Sequence, residues 1–215
     1  MDFELTDEQR MIRDMAREFA TEVLVPQAAI IDETEEYPFE TLKQMGELGL
    51  MGIDVPEEYG GIGADTISYV LATEEISKAC AATGAIMSVQ NSLVCHGLVH
   101  YGTEEQKEKY LRPAASFEKI GAFGLSEPQA GSDAANQRSM AMRQGDEYIV
   151  NGSKNFITNG GVADFVVLFV RTDPTQRHKG ISCLLVDTDT PGFSHGKPEK
   201  KLGIRASNTT TLTLE

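Results

Sequence analysis

The sequence predicts an α+β chain in which an all-helical domain, residues 1–118, precedes an antiparallel β domain, residues 119–215. Before residue 118, apolar residues recur at helical spacing; after it, β-branched and apolar runs alternate with polar turns. The 215-residue chain is 40% hydrophobic and 24% charged, which is ordinary usage for one large or two small folded domains. We therefore expect two folded domains rather than a disordered chain.

Two helices are predicted at the start of the chain. Residues 6–9, TDEQ, form a capping-box pattern, and apolar residues follow at helical spacing up to Pro26: Met11, Ile12, Met15, Phe19 and Val23. Pro38 suits the first turn of the second helix, and Gly49 suits its C-terminal cap. The inner face of this helix is predicted to carry Phe39, Leu42, Met45 and Leu48.

Further helices fill the rest of this domain. After a loop at residues 55–65, helical segments begin near Thr66 and include the Ala-rich stretches 73–82 and 84–101. Thr103 with Gln106 three residues later predicts another capped helix, which Pro113 is expected to end.

Strands are predicted from the second half of the chain. The runs DFVVLFVRT, GISCLLVDT and TLTLE read as strands, and Asn151-Gly152 within YIVNGSK reads as a hairpin turn. No turn or closing element follows the last strand. We therefore expect the polypeptide to be cut short.

Composition argues against several functional classes. A net charge of −14 argues against an extended nucleic-acid surface. Cys80, Cys95 and Cys183 are too few and too widely spaced for a disulfide framework or a zinc site. The start of the chain lacks the features of a signal or transit peptide, and its longest apolar run, FVVLFV, is too short to cross a bilayer. We expect a cytoplasmic protein without a membrane span.

Three short motifs are better explained as structure than as functional sites. GGIGAD at residues 60–65 lacks both the third glycine and the preceding strand of a dinucleotide fingerprint. His96 and His100 are four residues apart on a predicted helix, but no third metal ligand lies nearby in the sequence, so we assign no metal site. Asn151-Gly152-Ser153 matches a glycosylation sequon, but a hairpin turn is the better interpretation.

Two other stretches are candidates for ligand binding. FGLSEPQAGSD, residues 123–133, combines small residues, whose amides can approach a ligand closely, with the hydroxyls of Ser126 and Ser132. NFITNGG, residues 155–161, places Phe156 two residues before Thr158, so the two share a face of an extended strand. An aromatic ring beside a hydroxyl suits a planar heteroaromatic ligand. From composition alone, two ordinary turns remain the simpler interpretation.

Taken together, the motifs resemble those of the acyl-CoA dehydrogenases. FGLSEPQAGSD, GSKNFITNG, PGF and KLGIRASNT occur in that order, and GLMGIDVPEEYGGIGAD in the helical half is similar to the same family. The resemblance covers nearly the whole chain and leans toward short-chain, butyryl-type members. It implies a helical domain, a middle β-barrel and a C-terminal helical bundle, of which the bundle is expected to be absent from this chain.

The resemblance also implies an FAD site. The residues implied in cofactor binding are Phe123, Gly124, Leu125, Ser126, Glu127, Pro128, Gln129, Ala130, Gly131, Ser132, Phe156, Ile157 and Thr158. Leu125 and Ser126 would contact the pyrimidine edge of the flavin, and Thr158 would bond near its redox-active nitrogen. Ser132 would also contact the CoA substrate. Many members carry Trp where this chain has Phe156; Phe retains a stacking face but lacks the indole N–H.

The implied reaction is α,β-dehydrogenation of a short-chain acyl-CoA in fatty-acid β-oxidation, with electrons passed to an electron-transfer flavoprotein. The family's catalytic base is a glutamate of the C-terminal bundle, so we assign no catalytic residue in this chain and expect it to be inactive by itself. A homotetramer is the expected assembly. The alternatives are a flavin monooxygenase or oxidase on the same scaffold, and a non-catalytic fragment or binding module.

Overall fold

The computed structural model describes residues 3–215, which fall into two compact units. One unit extends to Lys119 and includes Lys201–Ser207; the other comprises Ile120–Lys200 and Asn208–Glu215. The first is built from helices and the second from strands, so the predicted order of a helical domain followed by a sheet domain is confirmed.

The helical unit begins, as predicted, with a capped helix. Thr6 accepts a hydrogen bond from the Gln9 amide, and the Gln9 side chain accepts one from the Thr6 amide. Thr103 and Gln106 form the same reciprocal cap. Among the described residues the α-helices are α1 (Asp7–Phe19), α2 (Val25–Thr34), α3 (Phe39–Glu47), α4 (Thr66–Ala79), α5 (Ala81–Ser88), α6 (His96–Tyr101), α7 (Glu104–Gln106) and α8 (Arg112–Ala115).

The predicted helix ends at Pro26 and Pro113 are wrong. Each proline lies in the first turn of a helix that continues beyond it, α2 or α8. A π-helical turn precedes each of these helices, at Ala20–Leu24 and at Lys107–Leu111. Backbone N–H groups in the first turn of a helix have no intrahelical acceptor, so a proline there costs no hydrogen bond. The wider π-helical turn before each proline changes the hydrogen-bond register at that point. The helical conformation therefore continues beyond both prolines.

The inner faces of the first helices follow the predicted spacing only in part. Ile12 and Phe19 are buried in α1, but Met11 is 67% exposed. In α3, Leu42 and Met45 are fully buried, while the residues at the two ends of the predicted face, Phe39 and Leu48, are exposed. Gly49 follows α3 with φ of 76°, the left-handed conformation that favours glycine after a helix.

The predicted loop at residues 55–65 is present before α4, but it contains a 3₁₀ turn at Glu57–Tyr59. Residues 60–65 form no helix or strand, and Asp65 caps α4 by accepting a hydrogen bond from the Ser68 amide. From α5 to α6 the chain is helical throughout and includes a π-helical turn at Val89–Cys95. The predicted long helical region beginning near Thr66 is thus present as several consecutive segments.

The second unit is one seven-stranded sheet. Its strands are β1 (Gly121–Gly124), β2 (Met140–Gln144), β3 (Glu147–Thr158), β4 (Phe165–Arg171), β5 (Ile181–Asp187), β6 (Phe193–His195) and β7 (Thr209–Leu214). The strand order is β1-β4-β2-β3-β7-β6, with β5 paired to β4. Most pairings are antiparallel, as predicted, but β1 lies parallel to β4, and β2 meets β4 in one parallel pair. The core strand is β4, whose Phe165 and Leu168 are fully buried.

The predicted hairpin turn at Asn151-Gly152 is wrong. The turn lies at Gly145 and Asp146, where Gly145 has φ of 65°, and β3 runs through Asn151 and Gly152 without interruption. A Cβ on Gly152 would lie 2.3 Å from Ser139 Oγ, so the glycine is required by close packing against the segment before β2.

Asn159 connects the end of β3 to the neighbouring backbone. It is fully buried with φ of 65°, and its side-chain amide donates to the Gly121 carbonyl at 3.0 Å. Its backbone N–H donates to Asn208, and its carbonyl accepts from Val162 and Ala163. Asn159 therefore holds the start of β1 next to the end of β3.

We expect Asn159→Ala to lower the free energy of unfolding by about 2–4 kcal/mol, because it removes a buried hydrogen bond and because alanine tolerates the left-handed backbone conformation less well than asparagine. Asn159→Gly also loses the buried hydrogen bond, but glycine adopts the left-handed conformation without strain, so we expect a smaller loss of about 1–3 kcal/mol. Urea denaturation of both variants separates the two contributions. An Asn159→Ala variant no less stable than Asn159→Gly would contradict this account.

Candidate functional site

The first candidate segment leaves β1 and turns sharply. Phe123 and Gly124 are the last two residues of β1, and the loop begins at Leu125. Glu127 and Ala130 exchange two backbone hydrogen bonds of 3.0 Å, which closes a tight turn with Pro128 as its second residue. The segment thus folds as a compact loop whose tip, Pro128 and Gln129, is exposed.

Several polar groups of this loop and of the second candidate segment have no protein partner. Among residues 3–215, no acceptor meets the amides of Leu125, Ser126 or Ser132, and no hydrogen bond reaches the hydroxyls of Ser126, Ser132 or Thr158. Ser126 and Thr158 are half-buried, and Gly131 and Ser132 are exposed. Hydrogen-bond donors of this kind fit a ligand that offers carbonyl, ring-nitrogen or phosphate acceptors, and a flavin nucleotide offers all three.

Other residues predicted to bind the cofactor direct their side chains into the protein. A Cβ on Gly124 would lie 3.0 Å from the Leu168 side chain and 3.1 Å from that of Val166, so Gly124 packs closely on β4. Ile157 is 2% exposed and Ala130 is fully buried. The Phe123 ring lies 5.0 Å from the Phe169 ring. A ligand beside Ile157 could therefore contact only its backbone.

The second candidate segment contains a β-bulge. The pairing of β3 with β7 changes register between Lys154 and Ile157, and Phe156 lies in that interval. Phe156 has φ of 56°, which is unfavourable for a residue with a side chain, and 66% of it is exposed. Phe156 and Thr158 are expected to share a face only on a regular strand, and the bulge makes β3 irregular here. Even so, Phe156 faces solvent while Ile157 is buried.

The two candidate segments are bonded to each other. The Asn155 amide donates to the Ser126 carbonyl at 2.8 Å, and Lys154 Nζ donates to the Leu125 carbonyl at 3.2 Å. The unbonded amides of Leu125 and Ser126 therefore lie on the backbone directly attached to the bulge that carries Phe156. The structure brings together the loop and the aromatic residue that the sequence selected separately.

A buried ion pair lies behind this junction. Lys154 is fully buried, and its ammonium donates to Glu127 at 2.8 Å and to Gln137 at 2.9 Å. Glu127, 5% exposed, also accepts from the amides of Arg138 and Ser139, at 2.5 and 2.9 Å, and from the Gln129 side chain at 2.6 Å. Sequence reasoning missed Lys154 and Gln137, because a lysine or glutamine in or near a strand normally indicates an exposed position.

These contacts determine the charge of Glu127. Burial disfavours the ionised carboxylate, but hydrogen bonds from Lys154, Ser139 and Arg138 outweigh burial and lower the pKa of Glu127 to about 2. Because the carboxylate is ionised and accepts four hydrogen bonds, it is a weak base with no free lone pair directed at a ligand. The structure therefore makes Glu127 a residue that holds the loop in place rather than one that takes a proton.

The remaining motifs form no comparable arrangement. The rings of His96 and His100 lie 4.3 Å apart, and His96 is 3.3 Å from Asp54. No cluster of three potential metal ligands occurs among residues 3–215. In the same part of the chain, every helix is too short or too polar to cross a membrane. A cavity of about 290 Å³ in the sheet unit is lined by Gly160–Ala163 and β6 residues, and none of the predicted cofactor residues lines it.

Comparison with known proteins gives consistent matches over both units. Residues 6–118 match the N-terminal domain of the acyl-CoA dehydrogenases, and residues 122–215 match their middle domain. The short-chain-specific acyl-CoA dehydrogenase of Clostridium acetobutylicum is 54% identical over 215 residues, which are all of this chain and 57% of that protein. This chain therefore belongs to the acyl-CoA dehydrogenase family.

Solved structures give the same assignment. A chain from a study of the electron transferring flavoprotein of Acidaminococcus fermentans matches with a TM-score of 0.97 at 48% identity, over all of this chain and 57% of that one. Butyryl-CoA dehydrogenase from Megasphaera elsdenii matches with a TM-score of 0.95 at 41% identity, with the same coverage. This chain thus spans little more than half the length of the relatives it matches.

The low pKa of Glu127 predicts acid sensitivity. A carboxylate whose pKa is lower in the folded state stabilises the fold fully above its unfolded pKa of about 4.5, and this stabilisation is lost as the pH falls toward about 2. The contribution is on the order of 3 kcal/mol. We expect Glu127→Gln to be less stable at neutral pH and to lose stability less steeply between about pH 5 and 3.

Urea denaturation across this pH range measures the difference between variant and wild type. Glu147→Gln is the matched control, because Glu147 is an exposed carboxylate at the start of β3. The control should keep the wild-type pH dependence. If the free energy of unfolding falls with decreasing pH as steeply in Glu127→Gln as in the wild type, the Glu127–Lys154 ion pair does not determine the acid sensitivity.

Proposed function

We propose that this chain forms the FAD-binding half of a dehydrogenase that converts a short-chain acyl-CoA into the 2-enoyl-CoA. The observation that carries the proposal is the placement of Phe156. Its ring is exposed, its backbone conformation is unfavourable, and the residues just before it are hydrogen-bonded to a loop whose amides have no protein partner. Identity of 54% to a short-chain-specific relative, and likeness to a butyryl-CoA dehydrogenase, support the substrate class.

The residues of this chain would divide the binding of FAD among them. The amides of Leu125 and Ser126, with the Ser126 hydroxyl, would donate to the pyrimidine edge of the flavin. Phe156 would supply an apolar face for the ring system, and the Thr158 hydroxyl would donate near the redox-active nitrogen. Gly131 and Ser132 would lie toward the phosphates, and Ser132 would also contact the CoA part of the substrate. Backbone amides and hydroxyls suit these acceptors whatever the net charge of the chain.

The proposed reaction removes a proton from the α-carbon and a hydride from the β-carbon of the thioester. Bound FAD supplies the hydride acceptor. The residues of this chain orient the two partners and exclude water from them. The α-proton goes to a carboxylate base, and we assign no residue of this chain to that role. Glu127 is unsuited, because its pKa is about 2 and its oxygens already accept hydrogen bonds.

We further propose that the electrons pass to an electron-transfer flavoprotein, that the protein works in cytoplasmic fatty-acid oxidation, and that it assembles as a homotetramer. The structural match to a chain from a study of an electron transferring flavoprotein supports the first of these. A flavin oxidase or monooxygenase on the same scaffold would react rapidly with oxygen instead, and a simple binding module would retain no FAD.

Replacing Phe156 by glycine separates stability from function. Glycine adopts φ of 56° without strain, and the lost side chain is mostly exposed, so we expect Phe156→Gly to be at least as stable as the wild type. Without the stacking face, we expect FAD affinity to fall by about tenfold. Thermal unfolding and FAD fluorescence titration measure the two effects.

Tyr148→Gly is the matched control, because Tyr148 is also an exposed aromatic residue on β3 and does not lie at the bulge. A glycine there weakens a regular strand, so the control should lose stability and keep its affinity for FAD. Wild-type affinity in Phe156→Gly would remove the main support for the proposed site.

A chimaera tests the reaction. The chain is joined to the part of the Clostridium acetobutylicum relative that lies beyond the matched region, and butyryl-CoA is added anaerobically to the FAD-loaded protein. We expect the yellow colour to bleach in the chimaera and to persist in the 215-residue chain, because the chimaera also contains the relative's remaining residues.

The same experiment separates the rival functions. A colour that persists in the chimaera with every acyl-CoA tried would contradict dehydrogenation. Rapid oxygen consumption in air would favour the oxidase or monooxygenase. Failure of both proteins to retain FAD would favour the binding module.

A further inference from the structure

Two neighbouring residues of β3 connect the halves of the proposed cofactor site. Lys154 reaches back to the Leu125 carbonyl, and the Asn155 amide reaches the Ser126 carbonyl. The next residue along the strand is Phe156, at the bulge. The positions of the unpaired amides and of the aromatic ring are therefore both set at Lys154 and Asn155, by the side chain of the first and the backbone amide of the second.

The hydrogen bonds of the Lys154 ammonium are complete. An ammonium has three donors, and those of Lys154 go to the Leu125 carbonyl, a Glu127 carboxylate oxygen and the Gln137 side-chain oxygen. These three acceptors lie on different parts of the loop between β1 and β2. With all of its donors used and none of its surface exposed, Lys154 fixes the loop on three sides and leaves no donor for a ligand.

Glu127 completes the arrangement from the other side. Its carboxylate bonds to Lys154 on β3, to the amides of Arg138 and Ser139 just before β2, and to Gln129 in its own turn. An apolar pair of similar volume would fill the space, but it would leave those amides and the Leu125 carbonyl without partners. The ion pair thus determines which conformation the loop takes.

From this geometry we infer that Lys154, together with Glu127, is a positioning residue for the cofactor: it holds the Leu125–Ser126 backbone at a fixed spacing from Phe156 without touching the cofactor itself. This inference rests on the proposed FAD site and adds to it two buried residues whose side chains act through the loop. A change at either residue should alter how FAD is bound, and not only how stable the protein is.

The experiment compares FAD binding by the 215-residue chain and three variants at a temperature where circular dichroism shows all four to be folded. Lys154→Met removes the ammonium with little change in volume, and Glu127→Gln keeps the shape of the carboxylate. Val170→Ala is the control, because Val170 is fully buried on β4 and takes no part in the ion pair. Fluorescence titration gives the affinity, and the visible absorption band reports the surroundings of the bound flavin.

We expect both ion-pair variants to bind FAD about tenfold or more weakly and to shift the visible band of the flavin that remains bound. Val170→Ala should lose stability but keep the wild-type FAD affinity and the wild-type visible band. If Lys154→Met does not fold, the isosteric Glu127→Gln decides the question. Wild-type affinity and spectrum in the ion-pair variants, or equal losses in Val170→Ala, would overturn the positioning role alone. Failure of the unmodified chain to bind FAD would overturn the proposed function and this inference with it.

Discussion

The candidate site depends on one buried ion pair, between Glu127 and Lys154. Removing either partner would leave a charge inside the sheet unit, which costs about 3–5 kcal/mol in comparable cases. The pair is also surrounded by backbone groups that need it: amides before β2 donate to Glu127, and the Leu125 carbonyl accepts from Lys154. Any other conformation of the loop would therefore expose several polar groups or leave them without hydrogen-bond partners.

Local signals in the sequence predicted local structure well. The two capping boxes are present because each needs only residues three apart, and Gly49 takes the left-handed conformation expected after a helix. The proline rule failed at Pro26 and Pro113 because it assumes an unbroken α-helical register, whereas a π-helical turn precedes each proline. A change of register depends on how the whole helix packs, which single-residue preferences do not contain.

The segments that form the candidate site were predictable from the sequence, but the contacts that hold these segments in place were not. Composition and order of motifs selected the loop and Phe156, and the structure places them on bonded backbone. The bulge at Phe156 was not predictable, because it arises from the pairing of β3 with β7, which are far apart in sequence. Asn151-Gly152 carries a strong turn signal, yet Gly152 is needed for close approach to Ser139 within a strand. Lys154 likewise gives no sign in the sequence that it is buried.

Charge explains why such a site relies on backbone donors. The chain carries a net charge of −14, and the proposed ligands FAD and acyl-CoA also carry negatively charged phosphates, so no long-range attraction favours their binding. Repulsion between exposed charges is screened beyond about 8 Å at physiological salt. Binding of the proposed ligands must then come from short-range donors held in place, because the Lys154 ammonium already has all its hydrogen bonds inside the protein. The buried lysine contributes its charge to the loop, and the loop presents its uncharged amides and hydroxyls outward.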